Sequence, residues 1–321
     1  MEKEMKKLVI LTGPTAVGKT KISIELAKQL DGEIISADSM QVYKDMNIGT
    51  DKITASAMQG VPHHLIDFLD PSEDFNVFEF QRLAKEAIED ITSRGKLPII
   101  VGGTGFYIQS VLYDIDFSDN HDNEELEKYK AELEEMSKTP EGIHELHEML
   151  TKIDPEYAAD LHENNVKRVI RALCFYKETG TKISEHNEDQ RAKTSPYDFF
   201  YFVLTDDREI LYERIEKRID KMMEEGLVEE VQALKDRNIS RDATSMQALG
   251  YREILSYLDG EVSKERAVEL LKRNTRHFAK RQLTWFRREK DVTWVDKSEL
   301  SRDDMKIAND LVKRIKDRWN I

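Results

Sequence analysis

The sequence predicts an α/β fold: a parallel-sheet core carrying an all-helical insertion and a helical carboxyl-terminal region. Three observations lead there. Short apolar runs alternate with helix-period segments through the first 113 residues. A charge-rich helical texture replaces them from about Phe117 to Glu188. The strand pattern then returns at Asp198–Leu204.

The elements follow in order. Lys7–Thr12 (KLVILT) is an apolar run ending at Gly13, the pattern of a strand buried on both faces. A glycine-rich turn leads into a helix from about Lys19 to Leu30, with Ile22, Leu26 and Leu30 on one side. Glu33–Ala37 reads as a second strand and Leu65–Leu69 as a third. A helix over Val77–Ser93 precedes Leu97–Val101, another buried strand, which ends in Gly102-Gly103-Thr104-Gly105. This alternation predicts a doubly wound sheet with ligands at the carboxyl ends of its strands. The insertion is expected to break at Pro140-Glu141-Gly142 and near Asp154-Pro155. Helical periodicity resumes from Asp207 to Trp285, with a stop at Glu225-Gly226, and Val292–Val295 suits a last strand. The expected domains are a core of residues 1–116 and 199–321 and an insertion of residues 117–198.

Bulk properties bound the function. At 321 residues the chain can bury a sizeable core. Its one cysteine, Cys174, can form neither an internal disulfide nor a metal cluster, and the charged start is followed by too short an apolar run for a signal or membrane segment. A cytoplasmic protein is expected. The net charge of -14 argues against nucleic acid as a partner, but its distribution is uneven. From Asp114 to Glu163 there are 17 acidic and 4 basic residues, whereas Lys272–Lys290 holds 8 basic residues and one acid. Lys167, Arg168 and Arg171 form a second small basic group.

The strongest local signal is Gly13-Pro14-Thr15-Ala16-Val17-Gly18-Lys19-Thr20, a full G-x-x-x-x-G-K-T between a predicted strand and a predicted helix. Its backbone N–H groups can converge on an anion, Lys19 adds positive charge, and the Thr20 hydroxyl can hold Mg²⁺. The helix that follows points its positive end at the same place. The motif makes the core P-loop kinase-like and establishes a di- or triphosphate site, without saying which molecule carries the phosphates. Asp38-Ser39-Met40-Gln41 lies just beyond the second strand, facing that loop. A carboxylate there can accept a proton and a carboxamide can pair with an adenine edge, although Asp38 equally suits a turn cap. Thr104, within its glycines, offers a hydroxyl to the same crevice, although those glycines equally suit helix packing.

GPTAVGKT, ISADSMQVY, GVPHHLID, IIVGGTGFY, RALCFYKETG, MMEEGLVEEV, QALGYRE and KRQLTWFR stand here in the order and spacing of another group. The chain resembles the bacterial tRNA dimethylallyltransferases, also called tRNA isopentenylpyrophosphate transferases, from about Leu8 to Trp294. The resemblance implies transfer of dimethylallyl from its diphosphate to the exocyclic nitrogen of the adenosine 3′ of the anticodon, in tRNAs reading codons that begin with U. By the same likeness Gly13–Thr20 cradle the diphosphate, with Lys19 neutralising it and Thr20 placing Mg²⁺. Arg218, on periodicity alone a solvated helix charge, matches the family arginine that reaches the diphosphate. Asp38 matches the proposed general base, Gln41 would hold it, and Thr104 would contact the target nucleotide. Asp38–Gln41, Lys167–Arg171 (with Val169 and Ile170), Gln247–Arg252 (Ala248, Leu249, Gly250 and Tyr251 between) and, in the last motif, Arg281 and Trp285 match tRNA-contacting stretches. The insertion matches a helical domain that grips the anticodon stem, and a monomer without obligate protein partners is implied.

Other signals carry less. His144 and His147 are three apart, without the H-E-x-x-H spacing or a third ligand. His63 and His64 face opposite ways if extended, and neither is assigned a role. The alternatives are an ATP-dependent small-molecule kinase, a non-catalytic nucleotide switch, and a relative that prenylates free AMP. The helical insertion and the basic, aromatic carboxyl-terminal stretch disfavour the kinase, Asp38–Gln41 disfavour the switch, and the extra domain disfavours the AMP enzyme.

Overall fold

A computed structural model describes residues 5–117 and 124–321. In chain order the elements are β1 (Lys6–Thr12), α1 (Lys19–Gln29), β2 (Gly32–Ala37), β3 (His63–His64), α2 (Val77–Ser93), β4 (Leu97–Gly102) and α3 (Gly105–Leu112). Then come α4 (Glu124–Met136), α5 (Pro140–Ile153), α6 (Pro155–Ala159), α7 (Val166–Thr179) and α8 (Ile183–Ala192). The chain closes with β5 (Tyr197–Thr205), α9 (Arg208–Glu224), α10 (Leu227–Asp236), α11 (Tyr251–Leu258), α12 (Lys264–Phe286), β6 (Thr293–Asp296) and α13 (Asp304–Trp319). Two compact units result, one of residues 1–112 and 196–321, the other of residues 113–195.

The first unit is built on a six-stranded, all-parallel sheet in the order β3-β2-β4-β1-β5-β6. The apolar runs are buried on both faces because helices cover both sides, as parallel crossovers demand. Val9, Leu11, Ile34, Ile99, Phe202 and Leu204 point to one face, where Ile22 and Leu26 of α1 and Ile307, Leu311 and Ile315 of α13 cover them. By strand alternation Leu8, Ile10, Ile35 and Ile100 point the other way and are equally buried. On α2 the buried stripe is Phe80, Ala84, Ile88 and Ile91, and Phe80 stacks on Tyr107 of α3 with ring centroids 4.4 Å apart. Strand order reverses beside β1, so the loops after β1, β2 and β4 open at one carboxyl edge.

One sequence expectation is corrected. The third strand is His63–His64, and Leu65–Leu69 is not extended: Leu65 and Asp67 take left-handed backbone (φ 58° and 57°), leaving Leu69 a single bridge to Tyr43. The breaks at Glu225-Gly226 and Asp154-Pro155 are real helix ends.

The second unit is helical. Its apolar centre gathers Leu133, Leu146, Leu150, Leu161, Val169, Ile170, Leu173 and Ile183. Buried Asp154 ties three of its segments together, capping α6 through Tyr157 N–H at 3.1 Å and accepting from Ser184 N–H of α8 at 2.9 Å. No helix among the described residues is long and apolar enough to cross a membrane.

Candidate active site at the carboxyl edge of the sheet

Three loops meet at that edge. The first, Gly13–Thr20, wraps the ammonium of Lys19, which donates to the carbonyls of Gly13 at 2.9 Å and Pro14 at 3.0 Å. Left-handed backbone at Ala16 (φ 64°) and Gly18 (φ 95°) produces the curl, and Gly18 hands over to the first turn of α1. Burial in the loop, helped by the nearby Arg218 cation, lowers the Lys19 ammonium to about 8. The carboxylates of Asp38 and Asp51 lie close enough to oppose that drop. Behind the loop, buried Lys297 donates to Val17 O at 2.9 Å and to Asp304 at 2.7 Å.

Arg218 of α9 reaches across to this loop. Its guanidinium donates to the Thr15 hydroxyl and, at 2.7 Å, to the Asp51 carboxylate. It is therefore not a solvated helix charge.

The second loop follows β2. Asp38 Oδ1 accepts N–H bonds from Met40 at 2.9 Å and Gln41 at 3.3 Å, a local turn that fixes the carboxylate. Ser39 N–H donates to Thr104 Oγ1 at 3.3 Å, and Thr104 N–H to Ala37 O at 3.2 Å, so the second loop and the β4–α3 turn are bonded directly. The expectation that Gln41 holds Asp38 needs correction. Only its backbone does so; its side-chain amide donates to the carbonyls of Thr50 at 3.0 Å and Asp51 at 3.3 Å. A cavity of about 50 Å³ lies beside the phosphate loop, lined by Thr20, Ser23, Gln41 and Asp51 and by the apolar Ile34 and Ile53.

The third loop is Gly102–Gly105, and α12 closes on it. A Cβ at Gly105 would fall 2.2 Å from the rigid Trp285 indole, so glycine there lets α12 approach; one at Gly103 would fall 2.2 Å from Nε2, the movable end of the Gln282 side chain. Gln282, buried, accepts from Thr15 N–H at 2.8 Å and donates to Gly103 O at 3.0 Å. Trp285 also meets Phe106 edge-on at 6.1 Å. Along α12, His277, Lys280, Arg281, Thr284, Trp285 and Arg288 line an open groove of about 480 Å³.

The remaining sequence candidates divide by exposure. Lys167, Arg168 and Arg171 are exposed along α7, whereas Val169 and Ile170 between them are buried in the core of the second unit. Gln247 and Arg252 are exposed; Ala248, Gly250 and Tyr251 are buried, and Leu249 is half-buried. Tyr251 turns inward, its hydroxyl donating to Glu230 at 2.5 Å. Glu230 also accepts from the N–H groups of Asn47 and Ile48 at 2.8 Å and Gly49 at 3.0 Å, fixing the loop that carries Asp51. His63 bonds Val61 O and His64 the buried Glu33, which explains both histidines structurally.

Four residues of this constellation were missed in the sequence: Asp51, Glu230, Gln282 and Lys297. Only Gln282 carried a usable signal. It falls on the buried stripe of α12, with Ala267, Leu271, Thr275, Ala279 and Phe286, where a long polar side chain needs partners.

The described residues contain no group of three or more His, Cys, Asp or Glu that could hold a metal. The donor set nevertheless fits a Mg²⁺ shared with a diphosphate, since such an ion takes few protein ligands and prefers hard oxygens. The exposed Thr20 hydroxyl and the Asp51 carboxylate line one cavity.

The chain was compared with known proteins. A family model described as IPP transferase matches residues 41–289, and one described as isopentenyl transferase matches residues 6–72. A tRNA dimethylallyltransferase of Lachnoclostridium phytofermentans is 58% identical over 309 residues, covering 96% of this chain and 97% of that one. Another, of Halalkalibacterium halodurans, is 49% identical and covers 97% and 98%. Among solved structures, the full-length tRNA isopentenylpyrophosphate transferase of Bacillus halodurans superposes with a TM-score of 0.72 at 48% identity, over 98% of each chain. A eukaryotic dimethylallyltransferase solved acting on tRNA gives 0.81 at 32% identity, over 96% of this chain and 78% of that one.

Proposed function

We propose, on the premise that the chain belongs to the IPP transferase family, that it transfers dimethylallyl from dimethylallyl diphosphate to an adenosine amine of tRNA. The acceptor is N6 of the adenosine 3′ of the anticodon, in tRNAs reading codons that begin with U. The observation that carries this reading is the joining of the Gly13–Thr20 loop, Asp38 and Thr104 at one sheet edge, with α12 presenting a basic, aromatic groove beside them.

The residues divide the work as follows. Backbone N–H groups of Gly13–Thr20, with Lys19 and Arg218, bind the diphosphate. Negative charge concentrates on its oxygens as the C1–O bond breaks, so these groups stabilise the transition state more than the ground state. The adenine N6 lone pair forms the new bond to C1, and diphosphate leaves with the C1–O electron pair. N6 then carries a strongly acidic proton, which the Asp38 carboxylate takes. An ordinary carboxylate suffices for this. Asp38 is held in place by Met40 and Gln41 N–H, and Thr104, bonded to Ser39, contacts the target nucleotide. Thr20, with Asp51 nearby, would hold Mg²⁺, which when bound neutralises the diphosphate.

To reach Asp38 the adenine leaves its stack. Arg281 and Trp285 of α12 suit phosphates and an unstacked base, and Lys167, Arg168 and Arg171 suit the anticodon stem gripped by the helical unit. Gln247 and Arg252 are the exposed contacts of the QALGYR stretch; Val169, Ile170, Ala248 and Tyr251 serve by holding those neighbours in place. We place this reaction in the cytoplasm and assign it to a monomer.

The test is direct. Purified protein with dimethylallyl diphosphate, Mg²⁺ and unmodified tRNA should give a prenylated adenosine, read by mass spectrometry of the nuclease digest. No mass shift, together with turnover of ATP, would replace this reading with a kinase.

A further inference from the structure

Gln282 bonds both substrate loops at once. Its Oε1 accepts from Thr15 N–H inside the diphosphate loop, and its Nε2 donates to the carbonyl of Gly103, next to Thr104. Glycine at position 103 leaves room for the amide, since a Cβ there would fall 2.2 Å from Nε2. The contact is dry, Gln282 being 6% exposed. A buried amide whose donor and acceptor are both used resists displacement, since either group left alone would carry a full desolvation cost. The residue sits on α12 between Arg281 and Trp285, which line the groove on that helix.

From this geometry we infer that Gln282 is a positioning residue for prenyl transfer: it sets the spacing between the leaving group on the phosphate loop and the acceptor held at Thr104. The inference rests on the transfer reaction proposed above. In-line displacement is sensitive to that spacing, because rate depends steeply on how the reacting atoms are aligned. The amide touches no reacting atom. It acts by joining Thr15 to Gly103.

Two variants separate alignment from simple support. Gln282→Met keeps the length of the side chain and removes both hydrogen bonds. At saturating donor and tRNA, kcat should fall at least tenfold, while the Kd for inorganic pyrophosphate stays within threefold of wild type. Gln282→Glu keeps an acceptor for Thr15 N–H but sets a carboxylate oxygen against the Gly103 carbonyl. Only its protonated form can donate there, so its kcat relative to wild type should rise at least threefold between pH 8 and pH 6. Three results would overturn the inference: kcat of Gln282→Met within twofold of wild type, a loss of pyrophosphate affinity equal to the loss in kcat, or a pH-independent ratio for Gln282→Glu. Wild-type protein that transfers no prenyl group would instead remove the underlying reaction, so the two failures are distinguishable.

Discussion

Arg218 donates to the Asp51 carboxylate at 2.7 Å while its other terminal nitrogen bonds Thr15 of the phosphate loop. One cation is thus shared between an acid and the loop that would receive diphosphate. Asp51 is 57% exposed, so the pair adds at most about 1 kcal/mol to stability. Its larger effect is electrostatic, as a negative charge beside an anion site. Asp51→Asn should leave the melting temperature almost unchanged and tighten pyrophosphate binding about threefold in Mg²⁺-free buffer. Calorimetric titration measures both directions of that claim, and weaker binding would contradict it.

Lys19 gives a pH dependence with a definite sign. Its ammonium is lowered to about 8 in the free enzyme by burial and by Arg218. Bound diphosphate favours the charged form and raises it again. Binding above about pH 8 must therefore take up a proton, and affinity should fall as pH rises through that value. Titrations of pyrophosphate in buffers of different ionisation heat will show the uptake. It should vanish in Lys19→Arg, which stays charged.

A single variant can separate the base role proposed for Asp38 from its cap on the turn. Asp38 Oδ1 caps the turn at Met40 and Gln41, so Asp38→Ala disturbs the loop as well as the base. Asp38→Asn keeps the acceptor and removes the basicity. We expect about 10²- to 10⁴-fold loss of kcat in Asp38→Asn, with tRNA affinity retained in a filter-binding assay. A near-normal rate would exclude Asp38 as the proton acceptor.

The four bonds accepted by Glu230 make it a structural support of the site from a distance. Glu230→Ala strands three backbone N–H groups and the Tyr251 hydroxyl, and should cost about 2–4 kcal/mol in urea unfolding. Tyr251→Phe removes one bond and should cost about 1–2 kcal/mol. Glu230→Ala should also raise KM for the donor, because Asp51 lies two residues beyond Gly49.

Glu289, half-buried at the end of α12, is pushed up to about 7 by burial. The folded state therefore favours its protonated form. The stability this contributes is fully present below about pH 4.5 and is lost as pH rises through about 7. Thermal melts from pH 5 to pH 8 should decline for the wild type and be flatter for Glu289→Gln.

Most of the sheet was legible because its longer strands are short apolar runs rich in β-branched and aromatic residues, two of them closed by glycine, and those features together mark buried strands. The phosphate loop was legible because its spacing is itself the chemistry. The third strand was not: His63–His64 is two residues long, and the apolar residues after it owe their burial to a loop with left-handed turns. Asp38 and Thr104 were placed correctly at strand ends, but their joining runs from Ser39 N–H to the Thr104 hydroxyl, and a backbone donor leaves no mark in the residue pattern. Tyr251 shows the converse. It stands in a motif with exposed neighbours, and only burial reveals that it serves Glu230. Asp51 and Lys297 are ordinary charges until a partner distant in the chain is known.

The bond between Thr15 and Gln282 spans 267 residues. During synthesis the phosphate loop emerges well before its steadying helix, and β1 waits for β5 on one of its flanks. A nascent chain that has emerged only as far as the helical unit holds a nucleation-ready strand and an unsupported loop. A fragment that ends before α12 lacks the amide that joins Thr15 to Gly103, so its phosphate loop stands without that brace.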